Sequence, residues 1–166
     1  PICIAFLIFY TQITLNKPKT IKITKQLEKK GINFDKEKSE LKVVSDQFGV
    51  PTHTDWLSRL SLEMLGSDVI PSGIYHAVPA GKTSWYELAR FVLRYAKEIG
   101  LGLKLDLDQL LPITTSEYQL PAKRPKNSVL STNKLGEFLS SAQSLLAEDW
   151  QVGVRAYIRE LNSKGL

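Results

Sequence analysis

A chain of 166 residues, 43% hydrophobic and 23% charged, is long enough for one domain with its own core and has the balance of an ordinary soluble protein. The one cysteine, Cys3, excludes an internal disulfide and fits a reducing compartment such as the cytoplasm; two histidines, His53 and His76, are too few to build a zinc site. The net charge of +5 is lopsided: residues 1–40 hold eight lysines against four acids, and residues 41–166 hold fourteen basic residues against thirteen acids, so the body of the chain lacks the basic, aromatic-studded stripe of a nucleic-acid binder.

Pro1 to Tyr10 is almost wholly apolar. That is half the length a transmembrane helix needs, and it has neither the basic start nor the small-residue cleavage site of a signal peptide. A buried strand fits best, given Ile2, Ile4, Phe6, Ile8, Phe9 and Tyr10. The chain begins with Pro rather than Met, which leaves a trimmed or incomplete chain as an expectation. Residues 11–40 are lysine-rich, with Lys17, Lys19, Lys22, Lys25, Lys29 and Lys30 read as a solvated face or tail. Thr20–Thr24 has the alternation of a short strand, and Lys25–Lys30 that of a helical turn stopped by Gly31.

From Leu41 the pattern becomes regular. Val43 and Val44 end a strand, Gly49 and Pro51 force a turn, and Thr54 or Asp55 caps the helix that follows. The polar groups of Asp46, Gln47 and Thr52 are therefore displayed at a strand's carboxyl end, where an open α/β sheet places its ligand; a plain strand-to-helix turn uses the same residue types. Leu57, Leu60, Met64 and Leu65 recur at helical spacing, and Gly66 is placed to end that helix. Ile70–Gly73 is a turn. Ile74, His76 and Val78 alternate with Tyr75 and Ala77, which predicts a central strand sharing one small sheet with Leu41–Ser45.

Ser84 and Glu87 form a capping box for a second helix, with Trp85, Leu88, Ala89, Val92, Ala96 and Ile99 on one face before Gly100. Trp85 reads as a core anchor ahead of a ligand contact. Leu111–Thr114 is a short strand, and Pro121–Ser128 an irregular loop because two prolines bracket it. Arg124 in that loop is either an anion contact, since a guanidinium presents paired donors to phosphate oxygens, or a solvated surface arginine. A short helix around Lys134–Leu139 follows, and Trp150, Val154, Tyr157, Ile158 and Leu161 mark a last amphipathic helix.

Four segments in this order carry a resemblance: Asp46-Gln47-Phe48-Gly49-Val50-Pro51-Thr52, Gly73-Ile74-Tyr75-His76, Thr83-Ser84-Trp85-Tyr86-Glu87-Leu88-Ala89 and Arg124-Pro125-Lys126-Asn127-Ser128. Together they resemble the carboxyl-terminal half of dTDP-4-dehydrorhamnose reductases. The resemblance implies an extended short-chain dehydrogenase, an α/β enzyme in which a Rossmann domain holds NADPH and a smaller lobe holds the nucleotide sugar. It makes this chain a truncated Rossmann-type reductase, mainly the small lobe with a short sheet and flanking helices. Residues 41–166 are then the sugar-nucleotide-binding lobe, and residues 1–40 a degenerate remnant of the cofactor-domain side, with Gly31-Ile32-Asn33-Phe34 as a trace of a family sequence. It further implies dTDP-sugar contacts from Asp46, Gln47, Gly49, Thr52, Arg124, Asn127 and Ser128, with Arg124 at the diphosphate and Gln47 and Asn127 near polar sugar or base groups.

The departures from the family are specific. No Gly-rich phosphate turn is present to bring backbone amides to a cofactor pyrophosphate. None of the six tyrosines has a lysine four residues later, so the pair that would protonate the sugar carbonyl is missing. The expectation is therefore no catalytic residue and no cofactor for this chain alone, although the family uses NADPH to complete dTDP-L-rhamnose. A missing cofactor domain or another chain is the expected partner, with apolar surface exposed or covered by it; neither nucleic acid nor membrane is expected. Two other readings stand beside this one: a non-catalytic interaction protein resembling the regulatory subunit of methionine adenosyltransferase, and a nonfunctional remnant.

Overall fold

A computed structural model describes residues 40–101, 105–118 and 124–163. The expectations for Pro1–Tyr10, Thr20–Thr24, Lys25–Lys30 and Gly31–Phe34, and for the first part of the 121–128 loop, lie outside the described residues.

The chain forms an α/β arrangement of two small sheets held by helices. Leu41–Val44 (β1) runs parallel to Leu110–Ile113 (β4), with Leu41 opposite Leu110 and Val44 opposite Ile113. Phe48–Gly49 (β2) pairs antiparallel with Thr83–Ser84 (β3), Phe48 opposite Ser84 and Gly49 opposite Thr83. A parallel pair cannot be joined by a hairpin, so the whole of residues 45–109 forms the crossover between β1 and β4. Within that crossover lie the helices Thr54–Leu65 (α1) and Trp85–Glu98 (α2). Asn133–Phe138 (α3), Gln143–Leu146 (α4) and Trp150–Ser163 (α5) complete the described α-helices.

α2 is the organising element. Its capping hydroxyl, Ser84 Oγ, accepts from Glu87 N at 3.1 Å, and Gly100 beyond its end takes a φ of 78° that a side chain would resist. Its residues then enter three clusters. Leu88 packs with Val50 and Trp150, Leu93 with Leu105 and Leu110 beneath β1 and β4, and Tyr95 and Ala96 with Ile158 of α5. Trp85 packs against the first of these clusters, as the core-anchor reading requires. α1 builds the remaining cluster: Trp56, Leu60 and Met64 meet Tyr75, Leu135, Leu139 and Leu145, and Trp56 Nε1 donates to Leu145 O at 2.9 Å.

Two local expectations change. Ile74–Val78 is irregular and pairs with no strand, and the alternation that suggested one has another cause: Tyr75 turns into the α1 cluster and donates to Pro71 O at 2.7 Å, while Ile74 faces solvent. β4, not this segment, is the partner of β1. The cap of α1 is His53, whose Nδ1 accepts from Asp55 N at 3.3 Å; Thr54 is already in the helix and its carbonyl is taken by Ser58 Oγ. Leu62 and Leu65 in α1, and Val69 and Ile74 after it, are exposed, and no described helix is long and apolar enough to cross a membrane.

Candidate functional site

The site grows from the carboxyl ends of β1 and β4. Ser45 carries their pairing one residue further, donating to Ile113 O from its backbone nitrogen (2.9 Å) and its hydroxyl (3.1 Å). The chain after β4 then turns through Thr114–Tyr118, with the Glu117 carboxylate accepting from Thr114 N and from Thr114 Oγ1, each at 2.7 Å. These bonds hold the Glu117 carboxyl below its ordinary value. Thr115 is thereby set facing the turn that follows β1.

Thr115 binds two residues of that turn at once. Its hydroxyl and backbone nitrogen both donate to Asp46 Oδ1, at 2.5 and 2.8 Å, and its hydroxyl accepts from Gln47 Nε2 at 3.1 Å. The second Asp46 oxygen lies 3.4 Å from Lys126 Nζ. The Thr115 hydroxyl, then its amide and Lys126, hold the Asp46 carboxyl below its ordinary range. An ionised Asp46 thus joins the β4 turn to the 124–128 loop through one carboxylate.

Backbone bonds fasten that loop as well. Phe48 N donates to Lys126 O at 2.8 Å and Ser128 N to Phe48 O at 2.9 Å, a parallel bridge of Phe48 with Asn127. β2 is therefore hydrogen-bonded along both edges, to β3 on one side and to the loop on the other. Gly49 is buried in that ribbon. Thr52 is buried beyond it, its hydroxyl 3.4 Å from Val50 O, immediately before the α1 cap.

The seven candidates consequently divide by exposure. Gln47, Gly49 and Thr52 are buried, and the Gln47 and Thr52 side chains make their bonds within the protein, so they shape the turn from inside. Asp46 and Ser128 are half-buried at the junction. Arg124 and Asn127 are exposed; Asn127 Oδ1 accepts from Val129 N at 3.1 Å, and no described acid pairs with Arg124. The structure brings the 46–52 turn and the 124–128 loop onto one side of the domain. Thr115 was not singled out in the sequence, although its place at the end of a strand parallel to β1 is the signal that could have found it.

Comparison with known proteins gives this geometry a lineage. Residues 23–163 match the family model described as the RmlD substrate binding domain. The chain belongs to the RmlD substrate-binding family. A dTDP-4-dehydrorhamnose reductase of Escherichia coli K12 is 36% identical over 135 residues, which is 78% of this chain and 42% of that protein. Among solved structures, a dTDP-4-dehydrorhamnose reductase of Clostridium acetobutylicum superposes with a TM-score of 0.62 at 32% identity, covering 83% of this chain and 43% of its own. A Bacillus anthracis dTDP-4-dehydrorhamnose reductase in complex with NADP gives 0.60 at 28% identity, covering 82% and 42%. The chain therefore spans about 42% of the length of curated RmlD relatives it matches.

Two glycines of this RmlD-family lobe serve internal packing: a Cβ on Gly81 would meet Trp150 Cδ1 at 2.9 Å, and one on Gly153 would meet His53 Cβ at 2.7 Å. No cluster of three or more metal-ligating side chains occurs among the described residues.

Proposed function

We propose that this chain binds a dTDP-sugar as the substrate lobe of a dTDP-4-dehydrorhamnose reductase-type protein and does not itself carry out the reduction. The observation that supports the reading is the fusion of the 46–52 turn with the 124–128 loop through Phe48, Asp46 and Lys126, at the carboxyl ends of β1 and β4. Such a junction presents Arg124 and Lys126 to solvent with one described carboxylate, Asp46, beside Lys126. A guanidinium and an ammonium on a rigid rim suit a diphosphate, whose charge and oxygen count match their donors.

In this reading Arg124 contacts the diphosphate, Asn127 supplies a polar contact to sugar or base, and Asp46, Gln47, Gly49, Thr52 and Ser128 hold the rim in shape. Reduction requires a nicotinamide-binding domain and a proton donor that these 166 residues lack in sequence. The sole cysteine suits a reducing compartment, and the cytoplasm is the proposed place of action. Titration with dTDP at low and raised salt tests the proposal. Binding that weakens as salt screens the rim is expected, and the absence of binding at low salt removes the reading.

A further inference from the structure

We infer that Phe48 and Lys82 form a base-stacking platform at the edge of this rim, a contact for the pyrimidine ring of a nucleoside diphosphate. The inference rests on the nucleotide-sugar reading and adds to it the residues that recognise the base. Phe48 is flanked in sequence by buried residues, Gln47 and Gly49, yet is itself 40% exposed. Exposure alone would be ordinary for a surface aromatic. The backbone beneath this one is not, because β2 is bonded along both edges.

That double pairing decides which side chains share the ring's face. Residues directly opposite one another in a sheet project to the same side, and so do residues two apart along a strand. Ser84 and Asn127 are opposite Phe48, and Lys82 immediately precedes β3. Lys82 Nζ lies 5.7 Å from the centre of the Phe48 ring, within range of a cation–π contact, and the lysine is itself exposed. The face thus combines a flat aromatic ring, an ammonium beside it and the Asn127 amide across from it, with Lys126 and Arg124 in the adjoining loop.

An aromatic ring with neighbouring cations fits a ligand that has a π face and an adjacent negative charge. A nucleoside diphosphate has both; a simple sugar or inorganic phosphate has one or neither. Stacking on Phe48 would seat the base while Lys82 and Arg124 meet the diphosphate from two sides. The backbone bonds on both edges of β2 fix the Phe48 main chain before any ligand arrives, which lowers the ordering cost of binding.

Calorimetric titration of the full chain with dTDP and, separately, with inorganic pyrophosphate tests the assignment. Phe48→Ala should weaken dTDP on the order of ten-fold, the usual effect of losing a base–aromatic stack, and leave pyrophosphate unchanged, while Phe48→Tyr keeps dTDP binding. Lys82→Ala should weaken both ligands and flatten the salt dependence. If Phe48→Ala binds dTDP like wild type while Arg124→Ala binds it more weakly, the platform is overturned and the nucleotide-sugar reading stands. If wild type binds no dTDP, both fall. Circular dichroism identical to wild type establishes that Phe48→Ala is folded, and loss of pyrophosphate binding by that variant would also overturn the assignment, because a stacking contact does not touch phosphate.

Discussion

Thr115 and Asp46, 69 positions apart in the chain, are joined by two hydrogen bonds to a single carboxylate oxygen, at 2.5 and 2.8 Å. This contact fastens the turn after β1 to the turn after β4, and Gln47 adds a third bond to the same threonine. Thr115→Val keeps the shape of the side chain but removes the hydroxyl. It leaves Asp46 short of a donor and Gln47 of an acceptor, at an expected cost of about 1–3 kcal/mol, toward the lower end because the site is half-buried. Thr115→Ser should recover most of the loss. Urea midpoints of the three proteins measure it, and equal midpoints for wild type and Thr115→Val would show that the network carries no stability.

The same carboxylate makes the fold acid-sensitive. Asp46 and Glu117 both sit below their ordinary values of 3.8 and 4.5 in the folded protein, through Thr115 and Thr114 respectively. A carboxyl whose folded value is depressed contributes stability that is fully present above its unfolded value and lost as pH falls through the folded one. Stability should therefore hold above about pH 5 and decline from about pH 4 downward. Asp46→Asn should be less stable at neutral pH and show a shallower acid decline. Denaturant midpoints across pH 2.5–7 check this; parallel curves for the two proteins would exclude Asp46 as a source.

Gly81 precedes β3 with a φ of 90°, and a Cβ there would come within 2.9 Å of Trp150 Cδ1 and 3.0 Å of Asp149 Oδ2. The adjacent Ala80 exchanges backbone bonds with Glu148 and Trp150, so the segment cannot easily move away. Gly81→Ala should cost about 1–3 kcal/mol for the backbone conformation alone, with the crowding of Trp150 in addition. Thermal melts read this directly, and an unchanged midpoint would mean the β3 segment relaxes freely.

Trp56 anchors the α1 cluster and is essentially fully buried. Trp56→Phe leaves Leu145 O without its indole donor and opens a small void, an expected loss of about 1–3 kcal/mol. Trp56→Ala should cost about 3–5 kcal/mol, a large share of the stability of an ordinary domain. Chemical denaturation of both variants gives the order, and a Phe variant less stable than the Ala variant would contradict the packing described here.

The parts of this fold that could be read from the chain are those fixed by neighbours in sequence. α2 announced itself through the Ser84 cap, which accepts from the Glu87 amide, and through Gly100 beyond its end, features settled within a turn of the helix. β1 was visible as a strand, but its partner was not: Leu41–Val44 pairs with Leu110–Ile113 across a crossover, and local alternation at Ile74–Val78 offered a nearer but false candidate. A residue whose side chain turns inward beside helices, as Tyr75 does, alternates in burial without any ladder. His53 took the cap of α1 because its ring nitrogen reaches Asp55 N, a geometry that competes with two better-known capping types next to it. The nearness of the 46–52 and 124–128 segments was legible through family motifs, whereas Thr115 was hidden because its importance depends on a strand register.

Arg124 bears most directly on the central claim. It is exposed, has no described acidic partner, and stands in the loop that Phe48 and Asp46 hold in place. Its removal should disturb ligand binding without disturbing the fold. The measurement is calorimetric titration of wild type and Arg124→Ala with dTDP at low salt: binding weakened by about 1.5–3 kcal/mol in the variant, at an unchanged denaturation midpoint, is the predicted result. Equal affinities in the two proteins, or no dTDP binding by either, would contradict the account.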